Sequence, residues 1–418
     1  MSMLRKISIL MHSKDYYMSD IKFYVSRIFL WFFFAVAAIL FLGVSKKLAL
    51  KFSMMSARSR LNWLSLIILK KYSSEIWALF YQRRELSESE VCELVGRSLI
   101  LKNPKNEEKG ILLIKFSETL ELFVRSGSIR NVLGRYVVVL EPSWAGYALP
   151  QILALTHFPE KIYIQCADAE DHRLITGLGS NLIPIKTGSG DWVDQRIFKR
   201  LKREDLLYDI VLVANCNPIK RVHRFLHLID QVSRKKQIKA ALVCSSFGAN
   251  YNNMKSLIAA YDMDFLDYYE DLAGGELNKI FNKSKVNCLL SLKEGSNRTL
   301  FEGMSAGVRG VLVANNVGVN RDHLQEPVGY ILTEPEMQQL MLNLDSYDNE
   351  TVRIWAEKNI SPEATMKKIL SIINSNENVK YSIGEVKLKV NKPEARYMIE
   401  DEEYSAENNK KSLEYMFS

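Results

Sequence analysis

The chain has 418 residues, of which 47% are hydrophobic and 25% charged, ordinary usage for a globular protein of two or three domains. A disordered, collagen-like or disulfide-stapled chain is excluded, because the five cysteines (Cys92, Cys166, Cys216, Cys244 and Cys288) are scattered, odd in number and form no CxxC or Cys/His cluster. The net charge of +8 is not spread evenly: twelve Lys/Arg stand against two acids through Lys71, so the first 71 residues carry +10 and the remaining 347 carry −2. Positive charge beside the most apolar segment points to anionic lipid as the partner and away from nucleic acid.

That segment, Ile28 to Val44 (IFLWFFFAVAAILFLGV), has seventeen residues without a charge. At about 1.5 Å per residue it approaches the ~30 Å hydrocarbon core, so it is expected to be a single span. A cleaved signal peptide fits worse: the apolar run is long, lies far from the start and lacks a small-residue cleavage site. Basic residues are denser after the run than before it, which by the positive-inside bias places the long C-terminal part in the cytoplasm. Leu61 to Leu69 (LNWLSLIIL), flanked by Arg58/Arg60 and Lys70/Lys71 with Trp63 and Trp77 nearby, is too short to span. It reads either as an interfacial helix or as a helix packed on the body.

From Lys109 short apolar runs alternate with helical patterns. Strands are expected at 110–116, 136–140, 161–165 and 181–185, and again at 209–213, 239–243, 286–290 and 310–314. Such alternation means βαβ units and parallel sheets, hence an α/β protein of two doubly wound domains. The expected organisation is a membrane anchor over 1–52, a helical connector over 53–109, a first Rossmann-like domain over 110–205, a second over 206–374, and a polar tail over 375–418. A hinge is placed near Trp192 to Leu207, and the tail ends in a helix over Ala395 to Met416.

Ligands of doubly wound sheets bind beyond the carboxyl ends of the strands. One such turn stands out: Ser291-Leu292-Lys293-Glu294-Gly295-Ser296-Asn297-Arg298, running into Thr299 to Gly307, then a strand and Asn315-Asn316-Val317-Gly318. Gly295 permits a tight exit from the strand, and Ser296 or Asn297 can cap a helix whose free N–H groups face an anion. Gly307 suits the position just past the helix end. Glu294 and Glu302, eight positions apart, can reach opposite ends of a ligand lying across that helix, and suit neutral hydroxyls better than phosphate.

In order and context, this stretch resembles the donor-site signature of glycosyltransferase family 4. Ile183-Pro184 with Gly190-Asp191-Trp192-Val193-Asp194 and Phe198 is similar to that family's interdomain segment. Ala214 to Lys220 occupies the place of its Gly-Arg-x-x-x-x-Lys turn, and Gly329-Tyr330-Ile331-Leu332 that of its closing strand. The resemblance implies a GT-B transferase using a nucleotide-sugar donor, with retention and no bound metal or other cofactor; the membrane anchor adds the expectation of a lipid-linked or surface-polysaccharide acceptor, which an anchored enzyme meets at high local concentration. It implies that Lys220 neutralises the donor diphosphate, that Glu294 (the catalytic assignment) with Gly295, Ser296 and Asn297 holds the sugar, and that Glu302 binds ribose hydroxyls.

Three departures from the family pattern bear on the site. The family's phosphate arginine falls on Asn215, its second glycine on Asn297, and its acceptor-domain histidine has no counterpart at Cys166-Ala167-Asp168. Arg298 or Arg221 is expected to supply the missing cation, and Asp168 or His172 to face the acceptor. A GT-B-like nucleotide-sugar epimerase and a membrane-bound scaffold with a decayed donor site are the competing readings, the latter motivated by Asn215 and Asn297. His223 and His227 are spaced like metal ligands, but Arg224 stands where a metalloprotease carries its glutamate. No dinucleotide fingerprint, Walker loop or nucleophile elbow is present.

Overall fold

The structure, a computed structural model, describes residues 3–201, 205–246, 250–344, 349–392 and 395–417. The chain folds as two units, neither of them one stretch of sequence: residues 1–24 with 193–361, and residues 25–192 with 362–418. The division therefore differs from the contiguous one expected. The first 24 residues leave the anchor for the second sheet's unit, and the C-terminal segment returns to the first. The chain passes between units after residues 24, 192 and 361; the second passage, at Trp192 and Val193, is the start of the expected hinge segment, of which 202–204 lie outside the described residues.

In the unit 25–192 with 362–418, five strands pair in the order β1 (Ser98–Lys102), β2 (Gly110–Lys115), β3 (Tyr136–Glu141), β4 (Ile162–Gln165), β5 (Leu182–Ile185). β1 is antiparallel and β2 to β5 are parallel. Strands as apolar as GILLIK and YVVVLE are buried along their whole length, as a sheet covered on both faces requires. Strand order follows chain order without reversal, so the doubly wound order expected of both domains, with its switch point, is absent from this sheet.

The polar tail is a folded part of this unit. Its last helix, Ala406–Phe417, buries Leu413 and Phe417. Asn409 acts as a substitute strand neighbour for β1: its Oδ1 accepts from the Ile100 N–H at 2.9 Å and its Nδ2 donates to the Ser98 carbonyl at 3.0 Å. The exposed edge of the sheet is thereby closed.

In the unit 1–24 with 193–361, six parallel strands pair in the order β11-β10-β9-β6-β7-β8. They are β6 (Tyr208–Asn215), β7 (Ala240–Ser245), β8 (Leu266–Glu270), β9 (Ser284–Leu289), β10 (Arg309–Val313) and β11 (Gly329–Leu332). The chain winds outward from β6 through β8, then returns to the other side of β6 and winds outward again. The reversal lies between β6 and β9, the place beyond whose strand ends doubly wound sheets bind their ligands.

At the N-terminus, α1 (Met3–Val25), a single π-helical turn (Ser26–Leu30) and α2 (Trp31–Phe41) follow one another. The helical run Leu4–Phe41 is long and apolar enough to cross a membrane by length and composition. After α2 the chain turns at 42–45 into α3 (Lys46–Ser59), which Ser45 caps by accepting from the Leu48 N–H. The helix α4 (Trp63–Tyr72) is two-faced: Ile68 and Leu69 are buried, and Leu66 lies over Gly177, while Trp63 and Ile67 are exposed. Its packing is the second of the two alternatives read from the sequence, a helix on the body. Trp77 is buried on Phe158, ring centroids 4.7 Å apart, and so is not an interfacial residue.

Candidate functional site

The turn after β6 is built by its own side chains. Asn215 Oδ1 accepts from the Asn217 N–H at 3.0 Å and Asn217 Oδ1 from the Ile219 N–H at 3.1 Å, closing a short 3-10 turn over Pro218–Lys220. Asn215, found where the resemblance places an arginine, is therefore a turn former. The turn aims Lys220 at the neighbouring strand exit: its Nζ lies 2.6 and 2.7 Å from the two oxygens of Glu294. Glu294 is buried, and Ser291 Oγ donates to its Oε1 at 2.6 Å. The two residues expected to carry the chemistry thus meet at the switch point between β6 and β9.

Backbone bonds to the turn after β10 hold the Glu294 loop in place. The Glu294 N–H donates to Val317 O at 2.8 Å and the Ser296 N–H to Gly318 O at 3.0 Å. Gly318 has φ +113°, and a Cβ there would sit 1.9 Å from Glu294 O, so only glycine fits. Ser296 adopts φ +73°, a left-handed conformation that a residue with a Cβ holds at a cost. Asn316 Nδ2 donates to Ser291 O at 2.7 Å, joining the same two turns.

Asn297 is the N-cap of the helix Arg298–Ser305, accepting from the Leu300 N–H at 2.8 Å. A capping side chain explains asparagine where the family has glycine. Arg298 is exposed in the first turn, with no hydrogen bond or ion pair among the described residues. Glu302, one turn further, is buried. The helix lies close on β9 because Gly303 faces Asn287, whose Nδ2 donates to Thr299 O at 2.8 Å; a Cβ on Gly303 would come within 2.5 Å of that nitrogen. Past the helix, Gly307 takes φ +88° as expected.

Arg221 does not serve as expected. Its guanidinium is buried and engaged on every side: Nε donates to Asp20 of α1 at 3.0 and 3.1 Å, Nη2 to Glu334 at 2.8 Å and Nη1 to Leu290 O at 3.3 Å. It joins α1 to the ends of β9 and of the Lys220 turn, and is not presented to a ligand. The same α1 reaches the turn after β10, where the Tyr24 hydroxyl accepts from Asn315 Nδ2. His223 is buried between Tyr16 and Tyr17, ring centroids at 5.1 and 4.9 Å. Burial holds its pKa below the ordinary imidazole value, against the opposing pull of Asp20. Among the described residues no group of three or more His, Cys, Asp and Glu could hold a metal ion.

In the other unit, Asp168 caps the helix Ala169–Leu178, accepting from the Glu170 N–H at 2.7 Å. His172 is half-exposed one turn into that helix. The sequence reading missed Asp171, which accepts from the Gly146 and Tyr147 N–H groups at 2.8 and 2.7 Å and so fixes the turn after β3. It also missed Ser291, Asn316 and Asp20. For Ser291 a signal existed in its spacing, three residues before Glu294; for Asp20, about two hundred residues from Arg221, none did.

Residues 193–360 match the family model described as glycosyl transferases group 1. No curated protein matches the chain in sequence. Among solved structures, the chain is similar to TarM, at 16% identity over 59% of this chain and 53% of that one, with a TM-score of 0.45. It is similar to Anabaena HepE in complex with UDP, at 14% identity over 63% of this chain and 78% of that one, with a TM-score of 0.49. It is also similar to the pneumococcal O-GlcNAc transferase GtfA in complex with UDP and GlcNAc, at 11% identity over 59% and 53%, with a TM-score of 0.43. The chain spans about half the length of TarM and of GtfA.

Proposed function

We propose that this chain, whose residues 193–360 match group 1 glycosyl transferases, moves a hexose from a nucleoside-diphosphate sugar to a lipid-linked or surface-glycan acceptor. The proposal includes retention at the anomeric carbon, no bound metal, and a catalytic body on the cytoplasmic face of a membrane. The observation that supports it most is the Lys220–Glu294 pair, Nζ to Oε1 2.6 Å, at the one strand reversal of the second sheet. A carboxylate there orients the ammonium, and the ammonium with Arg298 and the capped helix N-terminus offers positive charge to a departing diphosphate. In this reading Glu294 accepts from neutral sugar hydroxyls and Glu302 from ribose hydroxyls. In the transfer, the bond from the anomeric carbon to the phosphate oxygen breaks, the acceptor oxygen bonds to that carbon on the same face, and the acceptor's proton passes to the departing diphosphate oxygen.

Asn215 and Asn297, the motive for reading a decayed site, have structural work as turn former and helix cap. The test is thermal stabilisation of the full chain in detergent by a panel of nucleoside diphosphates, beside Glu302→Gln. A ligand at about 100 times its Kd adds about 2.7 kcal/mol. A shift with one base that shrinks in Glu302→Gln is expected, followed by sugar transfer from that base's donor. No shift with any base overturns the reading; binding with interconversion of the sugar and no transfer moves it to an epimerase.

A further inference from the structure

The N-terminal apolar segment is folded in a way that a single crossing does not permit. Were Ile28 to Val44 to cross a bilayer, the residues before and after it would lie on opposite faces. Residues 1–24, however, belong to the same folded unit as 193–361. The attachment is built: Asp20 pairs with buried Arg221 at 3.0 Å, Tyr16 is fully buried, and Asn253 Nδ2 donates to His12 O at 2.9 Å. The Leu4–Phe41 run is the one helix among the described residues long and apolar enough to span, so no second such helix among them brings the chain back.

The neighbouring helix gives the same answer independently. α3 runs back along α2: Phe52 stacks on Phe41 at 5.4 Å and on Phe34 at 6.3 Å, Ser56 Oγ donates to Trp31 O at 2.6 Å, and Ser26 Oγ lies 3.0 Å from Ser59 Oγ. A crossing α2 would draw Lys51 of α3, next to Phe52, into the hydrocarbon, where charge is strongly disfavoured.

Both helices leave apolar side chains outward, on α1 interspersed with exposed Lys6, Lys14, Asp15 and Lys22. On α2 these are Phe29, Phe32, Phe33, Val36 and Leu40 in the run from the π turn onward; on α1 they are Leu4, Ile7, Met11, Met18 and Ile21. The charge of +10 over residues 1–71 complements anionic headgroups.

We infer that the chain is monotopic. The outward face of α2 lies in one leaflet of an anionic bilayer, and both ends of the segment stay on the same side. The single-pass topology read from the sequence is replaced, while the lipid partner it named is kept. This inference does not depend on the proposed activity.

The test uses the full chain in sealed vesicles and a membrane-impermeant maleimide. Cys92 is the one exposed native cysteine and reports the side of the body. Lys6→Cys in a Cys92→Ser background reports the side of α1, with Lys14→Cys in reserve should that variant not fold. Labelling of both positions from the same side is expected; labelling from opposite sides overturns the inference. In parallel, Phe32→Glu with Phe33→Glu should lower flotation of the full chain with phosphatidylglycerol vesicles at least tenfold at an unchanged melting temperature. Unchanged flotation also overturns it, as does a vesicle-free dimer that the double substitution dissolves while flotation persists.

Discussion

Lys220 and Glu294 stand 74 residues apart in the chain and share two short contacts, 2.6 and 2.7 Å, across the reversal of the second sheet. Each needs the other, since either one left alone is a mostly buried unpaired charge. Lys220→Met and Glu294→Gln are each expected to lower kcat/KM by at least a hundredfold, and the double variant to lose far less than the product. A coupling of about 1–3 kcal/mol is the size found for residues in direct contact. Strictly additive losses in the double-mutant cycle would show that the pair does not act as a unit.

Two arginines were candidates for the missing cation, and the structure separates them. Arg298 is exposed and without a partner among the described residues, whereas Arg221 is buried between Asp20 and Glu334. Arg298→Ala should therefore leave the melting temperature alone and weaken nucleoside diphosphate binding about tenfold, or about 1.4 kcal/mol. Arg221→Gln strands two carboxylates and should cost about 3–5 kcal/mol of stability. Removal of residues 1–24 should be as damaging, because it strips Asp20 and Tyr16 from the same unit. Calorimetry of the variants beside nucleotide titrations checks all three, and a stable Arg221→Gln with lost binding would reverse the assignment.

The parts of the fold legible in the sequence were those set by local pattern. The runs around 110–115, 136–141, 240–245 and 284–289 are apolar enough to fill a covered sheet, and they became strands. β8, LDYYE, was missed because an edge strand half open to solvent carries polar residues. β1, SLILK, was missed although it is as apolar and buried as the others and pairs antiparallel with the nearby β2; only its contact with Asn409, more than three hundred residues away, is non-local. The Glu294 loop was legible because its glycines and cap obey turn chemistry within a dozen residues. Arg221 was misjudged because the group that neutralises it arrives from α1, and no local pattern encodes such a meeting.

His223 predicts a pH dependence. Burial holds its pKa below the usual 6.5, with Arg221 and Arg224 adding to that and Asp20, 3.6 Å from Nε2, opposing it. The folded value lies below the unfolded one, so the unfolded chain takes up this proton first. The stability of the neutral ring is then present above about pH 6.5 and is lost as the pH falls through the folded value. The melting temperature should drop between pH 7 and pH 5, and His223→Phe, which keeps a ring between Tyr16 and Tyr17, should flatten that drop. An identical slope in the variant would assign the acid sensitivity to other groups.

The other unit holds a buried ion pair that only the folded tail creates. Lys389 Nζ lies 2.7 Å from Glu141 Oε2 with both side chains almost fully buried, and 4.6 Å from the Trp192 ring centre. Glu141 ends β3, and Gln165 ends β4; Gln165 Nε2 donates to Glu141 at 3.2 Å and Gln165 Oε1 accepts from Trp192 Nε1 at 3.1 Å. The tail is thus bound at the carboxyl ends of the parallel strands by a charge that burial makes costly to leave alone. Lys389→Met should cost about 3–5 kcal/mol because it abandons Glu141, whereas adding Glu141→Gln, which keeps an acceptor for Gln165, should restore most of that loss. Urea melts of the single and double variants decide it: a single variant as stable as the parent would mean that water, and not Lys389, balances Glu141, and that the tail is held by its apolar contacts alone.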